Sequence, residues 1–312
     1  MEELYPTFQK EGNPITCYPV ENYPLNVKAT FLPKQAGTGD PSPENVRPIS
    51  GRDSVQVTRC GKNLLDYAQL TAGIIAYGMT SEKIGDNIIR VGGTATRTGE
   101  HLSFVVCNSA QTSLQGKGFT IFAIPISGTE NLRSLYGLQT AGESAIAIVA
   151  DLVEQNSYDM RFQLMITADN STPTAYEPYQ GNDYPLTLPE TIYGGTVDAV
   201  TGVGSKDWGY IASYNGESLP GEWISDRDVY ASGTTPTTGA QVAYKLATPE
   251  PFQATGNQAL PAVAGLNTVY TDGDSLIISG KEDIKYTINQ ITSNIQNINQ
   301  IQEINNILLG VE

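Results

Sequence analysis

Met160-Arg161-Phe162-Gln163-Leu164-Met165-Ile166-Thr167 is the stretch whose reading decides the fold class. Met160, Phe162, Leu164 and Ile166 alternate with Arg161, Gln163 and Thr167. A period of two belongs to a strand with one face buried and one in water. The signature recurs outward from there. Leu102, Phe104 and Val106 fall on one face, and Phe119-Thr120-Ile121-Phe122-Ala123-Ile124 reads as a short buried strand. Ala145-Ile146-Ala147-Ile148-Val149 fits helix or strand by period, and its length and β-branched content choose strand. Gly92-Gly93, Gly99, Gly116, Gly118 and Gly128 separate these runs. Strands divided by glycine turns every ten or so residues predict a jelly-roll-like β-sandwich over 62–181.

The flanks have another texture. Residues 1–61 carry Tyr5-Pro6, Tyr18-Pro19, Tyr23-Pro24, Pro33, Pro41, Pro43 and Pro48. Each proline removes a donor and biases its predecessor toward extended backbone, so edge strands and ordered loops are expected here rather than a central sheet run. Leu25, Val27, Ala29 and Phe31 mark one half-buried strand, Val55 and Val57 a second. Asn182-Asp183-Tyr184-Pro185-Leu186-Thr187-Leu188 echoes Glu21-Asn22-Tyr23-Pro24-Leu25-Asn26-Val27, as two strands of one domain flanking an insertion would. Gly194-Gly195-Thr196-Val197-Asp198, then Gly202-Val203 and Trp208, signal strand, turn, strand. Val269-Tyr270-Thr271 and Ser275-Leu276-Ile277-Ile278, joined by Asp272-Gly273-Asp274, read as a hairpin because Asp-Gly suits a tight turn. The expected architecture is mainly β. Residues 1–61 and 182–280 form a discontinuous scaffold domain, 62–181 the inserted sandwich, and 281–312 a C-terminal coiled-coil helix.

That helix is the clearest local signal. Ile284, Ile288, Ile291, Ile295 and Ile298 follow a 4-3-4-3 spacing, and Ile301, Ile304, Ile307 and Leu308 continue it with a stammer. Isoleucine at both seam positions favours three or four strands. The polar faces are almost all Asn and Gln, so charged pairs do not set the partner and the seam itself must. At ~1.5 Å per residue, 284–309 spans roughly 39 Å. The predicted oligomerisation residues are Ile284, Ile288, Ile291, Ile295, Ile298, Ile301, Ile304 and Leu308, in a homotrimer. The other reading is an amphipathic helix packed on its own domain.

Charge narrows the partners. Among 312 residues, 18 Lys and Arg face 33 Asp and Glu, for a net −15. With no basic cluster, such a field repels nucleic acid. No apolar stretch reaches the ~18 residues of a membrane span, so no membrane insertion is expected. The start, Met1-Glu2-Glu3, lacks the basic and apolar regions of a secretory signal. Cys17, Cys60 and Cys107, without CxxC spacing, are expected as free buried thiols of a chain folded in a reducing cytoplasm.

Catalytic patterns are missing. His101 is the single histidine and is placed at a strand start; Gly142-Glu143-Ser144-Ala145-Ile146 fails the nucleophile elbow at its last position. Gly202-Val203-Gly204 lacks the third glycine of a dinucleotide fingerprint, and Asp272-Gly273-Asp274 lacks EF-hand spacing. No catalytic residue, cofactor or metal site is expected. Paired carboxylates of a glycosidase stay open, since many acids are present. Tyr176, Tyr179, Trp208 and Trp223 lie in turn-rich stretches and are candidate glycan-stacking residues, with ordinary strand packing as their other reading.

Several blocks resemble one family. They are Gln35-Ala36-Gly37-Thr38-Gly39-Asp40-Pro41-Ser42-Pro43-Glu44-Asn45-Val46-Arg47-Pro48-Ile49-Ser50-Gly51, Gly61-Lys62-Asn63-Leu64-Leu65-Asp66, Phe162-Gln163-Leu164-Met165 with Pro173-Thr174-Ala175-Tyr176-Glu177-Pro178-Tyr179, and Tyr244-Lys245-Leu246-Ala247-Thr248-Pro249. They resemble minor structural, tail-fibre and baseplate proteins of tailed phages infecting Gram-positive bacteria, which carry a carbohydrate-binding-module-like sandwich. The resemblance implies no catalytic residues. It implies a virion location, other virion proteins as partners and host cell-surface polysaccharide as ligand. The expected function is a trimeric tail-fibre or baseplate component. The alternatives are a head fibre or capsid decoration protein, and a polysaccharide depolymerase.

Overall fold

A computed structural model describes residues 5–73, 75–111, 120–137, 145–167, 173, 175–229 and 234–286, with 288, 289, 292 and 295. The described chain is mainly β. It begins β1 (Thr7–Gly12), β2 (Ile15–Cys17), β3 (Pro24–Phe31), β4 (Lys34–Gln35), β5 (Ile49–Ser50) and β6 (Arg52–Cys60). After a 3₁₀ turn at Tyr67–Gln69 come β7 (Leu70–Ala72), β8 (Ile75–Ala76), β9 (Met79–Ile84), β10 (Ile88–Thr94) and β11 (Gly99–Ser109). Then follow β12 (Thr120–Ser127), β13 (Leu132–Gly137), β14 (Ala145–Leu152), β15 (Ser157–Thr167) and β16 (Asn182–Ile192). The last are β17 (Gly195–Asp198), β18 (Val203–Ile211), β19 (Trp223–Ser225), β20 (Val242–Gln253), β21 (Leu260–Pro261), β22 (Asn267–Thr271) and β23 (Ser275–Lys281).

Two compact units divide the chain. One holds residues 1–55, 184–267 and 273–312; the other holds 56–183 and 268–272. The first contains an eight-stranded sheet, β1-β23-β3-β17-β18-β20-β19 with β21 on β3. Its register explains its face. Val27 stands opposite Ile278, and Ala29 opposite both Leu276 and Val197. All five are fully buried. In the second unit one sheet runs β12-β15-β10-β9-β8 and another β13-β14-β11-β7. Met160, Phe162, Leu164 and Ile166 of β15 share one hydrophobic cluster with Leu102, Phe104 and Val106 of β11 and Ile146 and Ile148 of β14. The period-two readings of those strands hold, including the choice of strand for β14.

Three expectations are corrected. Val269–Thr271 and Ser275–Ile278 are not a hairpin: β22 pairs with β6, and β23 with β1 and β3. The two aspartates bond to other segments instead. Asp272 Oδ1 accepts from Gln56 N at 2.9 Å, and Asp274 Oδ2 from Leu32 N at 2.7 Å. Neighbouring strands thus outcompeted the local turn. The proline-rich start also supplies a central strand, since β3 is flanked by β23 and β17. Pro24 opens β3, where a missing N–H is tolerated. Finally, the run expected as a buried strand over 119–124 is buried at Ile121 but only half-buried at Phe122, Ala123 and Ile124.

At the C-terminal end, Ile284, Lys285, Tyr286, Ile288, Asn289, Thr292 and Ile295 are helical. Asp283 caps the start, its Oδ1 accepting from Lys285 N at 3.0 Å. Ile291, Ile298, Ile301, Ile304, Ile307 and Leu308 lie outside the described residues.

Candidate functional site

The second unit carries a polar cleft of about 210 Å³. It is lined by Gln56, Asp66, Gln69, Ala110, Gln111, Tyr179, Asp183 and Tyr270. Its residues come from three strands and three connecting segments. The sequence Gly61-Lys62-Asn63-Leu64-Leu65-Asp66 builds one wall. Asn63 is fully buried. Its Oδ1 accepts from Leu65 N (2.9 Å) and Ile166 N (3.2 Å), and its Nδ2 donates to Glu177 O (3.0 Å). One side chain therefore ties the opening segment, β15 and the closing segment 175–181 together. Lys62 repeats the tie as an ion pair with Glu177 at 3.5 Å. Asp66 caps the 3₁₀ turn through Ala68 N at 2.9 Å, and its own N–H donates to Gln111 Oε1 at 3.0 Å. Gln111 Nε2 donates in turn to Leu64 O at 2.8 Å, so this amide is held at both ends.

The opposite wall is β6, β22 and the start of β16. Thr58 Oγ1 donates to Asp183 Oδ1 at 2.6 Å, and Gln56 Nε2 to Thr58 Oγ1 at 3.3 Å. Cys60 lies between Tyr179 and Tyr270 and hydrogen-bonds both. Burial pushes the Cys60 thiol up to about 11 and raises Tyr179, with Cys60 adding to the rise. Both groups stay protonated at neutral pH. Tyr176 is raised by burial and then by the Asp66 carboxylate, which places its ring on the Asp66 side. Amides, carboxylates and two tyrosine rings around a small cleft suit hydroxyl-rich ligands by hydrogen bonding and ring contact. Among the described residues there is no group of three His, Cys, Asp or Glu that could hold a metal ion.

The four aromatic candidates separate. Tyr179 lines the cleft and Tyr176 is half-buried beside Asp66. Trp208 and Trp223 belong to the other unit and are 8% and 4% exposed. Trp208 packs with Ile49 and Ala243, its Nε1 without a partner, and Lys245 Nζ lies 5.6 Å from the ring centroid. Trp223 packs with Tyr214, Ala240 and Val242 and donates to Thr234 O at 3.3 Å. Rings covered to that degree offer no stacking face. Both tryptophans lie in strands, Trp208 within β18 and Trp223 at the start of β19, and their rings pack inward. Gln56, Gln69 and Gln111 went unnoticed in the sequence because a lone glutamine carries no spacing signal.

The remaining motif residues make local contacts. Residues 36–48 form a loop closed by β4 and β5. Arg47 donates from Nε to Ala36 O at 3.0 Å, from one terminal nitrogen to Gly37 O at 2.5 Å and from the other to Gly39 O. Asn45 Nδ2 donates to Asp40 O at 2.8 Å. His101 has φ +55° at an irregularity of the β11–β14 pairing, and its N–H donates to Asp151 Oδ1 at 2.9 Å. Ile284, Ile288 and Ile295 are 47%, 55% and 52% exposed.

No family model matches the chain, and no curated protein matches it. Among solved structures the chain is similar to protein Ylba from E. coli, of the family DUF861. The identity is 11% and the TM-score 0.14, over 70% of this chain and 93% of that one, a likeness too low to bear on fold or function.

Proposed function

We propose that this chain is a non-enzymatic structural protein of a phage virion, a homotrimeric tail-fibre or baseplate component, that presents a glycan-binding cleft. Residues 281–312 act as the trimeric coil, the 56–183 unit as a jelly-roll-like sandwich, and the rest as scaffold. The observation that carries the reading is the isoleucine seam. At 100° per residue, Ile284, Ile288 and Ile295 share one helix face, and each stays about half exposed on its own chain. A second and third copy would remove that surface from water. The tie of opening to closing segment through Asn63 supports an inserted module, because it brings that unit's chain ends together. Three clefts on one stalk would gain avidity on a repetitive polysaccharide without any new contact.

Sedimentation equilibrium of the full chain tests the assembly. The expected mass is a trimer, falling to a monomer for the double variant Ile288→Asn, Ile295→Asn. A monomeric parent would sink the proposal. Retention on immobilised host cell-wall polysaccharide tests the cleft: Gln69→Ala, an exposed position, is expected to lower it severalfold. Shortening of that polysaccharide on incubation would replace the structural reading with a depolymerase.

A further inference from the structure

A second groove, of about 640 Å³, lies in the first unit, where β1, β23 and the start of β3 meet. The sheet register dictates its floor. Gln9 pairs with Ser279, and Ser279 with Asn26, so amide, hydroxyl and amide form a row across three adjacent strands. At ~4.8 Å between strands, the row offers a polar group at steps close to the width of a sugar ring. The core-facing row beside it is different: Val27 and Ile278 are fully buried.

One end of the groove is built from Tyr23, Lys281 and Thr7. Thr7 pairs with Lys281 across the β1–β23 ladder. Lys281 Nζ donates to the Tyr23 hydroxyl at 2.9 Å and lies 4.2 Å from that ring's centroid. The Tyr5 ring lies with its centroid 6.5 Å from that of Tyr23, tilted by 60°. Tyr23 nevertheless remains 39% exposed. An ammonium has three donors and Tyr23 takes one of them. Among the described residues no carboxylate lines this groove, although the chain as a whole carries net −15. A local cation and an aromatic face, ordered together beside a row of neutral hydrogen-bonding groups, select a ligand with hydroxyls, an apolar ring face and one oxyanion.

We infer that this groove is a saccharide site, distinct from the cleft of the other unit, that takes a short acidic oligosaccharide. The sugar lies along Gln9, Ser279 and Asn26, stacks one ring on Tyr23 and directs its oxyanion to Lys281. The inference does not depend on the trimer or on the cleft.

Calorimetric titration of the full chain with galacturonosyl-digalactose, which carries one carboxylate, and with its neutral counterpart, trigalactose, tests it. The acidic sugar is expected to bind about tenfold tighter. Lys281→Gln should erase that preference while leaving the neutral affinity unchanged, since one charge-assisted hydrogen bond is the difference between them. Tyr23→Ala should weaken both about tenfold. Both groove side chains are surface groups, and circular dichroism checks that the variants fold. No binding of either sugar at 10 mM overturns the inference. So does equal affinity for the two sugars, or a change in sedimenting mass for Tyr23→Ala, which would make the groove a contact between copies.

Discussion

At the scale of single residues, Asn63 shows how a motif side chain can serve structure. It is an asparagine with no solvent contact that satisfies two backbone donors and one backbone acceptor. Asn63→Ala takes a partner from three backbone groups at once, the buried N–H groups of Leu65 and Ile166 and the part-buried Glu177 carbonyl. Each group left without a partner costs on the order of 1–3 kcal/mol, less what relaxation recovers. A loss of about 3 kcal/mol is expected, read as a lower urea midpoint at unchanged slope. Less than 1 kcal/mol would mean that water fills the gap. Arg47 is the more exposed parallel. It gathers three carbonyls of one loop with a planar fork that lysine, a point donor, does not reproduce. Neither role was legible in the sequence, since polar residues in a glycine- and proline-rich segment read equally as ligand-binding or as loop-holding groups.

Among the elements, the β17–β18 hairpin is the one whose local signal and observed pairing agree throughout. Asp198 Oδ1 accepts from Val200 N at 2.8 Å and Thr201 N at 2.7 Å, and Gly202 takes φ +75°, so the turn is set by its own residues. Gly195 stands opposite Lys206, and a Cβ there would overlap the Ser205 carbonyl oxygen. Gly195→Ala is therefore expected to cost roughly 1–3 kcal/mol by forcing the strands apart. Thermal melts of the variant check this, and an unchanged midpoint would show that the ladder yields. The segment 269–278 had the same kind of turn signal and formed no hairpin, because β6 and β3 offered longer partners than β22 and β23 offer each other.

For the whole molecule, the thiols report on both units. Burial, the dominant cause in each case, pushes Cys17 up to about 12, Cys60 to about 11 and Cys107 to about 12. At pH 8 about a thousandth of Cys60 is thiolate, the reactive form, and less of the others. The folded chain should therefore react negligibly with an aromatic disulfide reagent over minutes, and all three thiols should react in denaturant. Cys60 and Cys107 share a unit and Cys17 lies in the other, so along a denaturant series the first two should label together. Rapid labelling of any one of them under native conditions would contradict the packing.

The sequence by itself determined the β character, the alternating core faces of β3, β11 and β15, and the helical start after Asp283. These follow from side-chain period and capping, which act over a few residues and are written in order along the chain. Tertiary structure alone decided which strands pair, why β3 is central despite its prolines, and that Trp208 and Trp223 are covered while Tyr23 and Tyr179 face open space. Pairing is a competition among segments up to about 270 residues apart in the chain, as for Thr7 and Lys281. Burial of a ring depends on what that competition leaves beside it. No local pattern encodes either outcome.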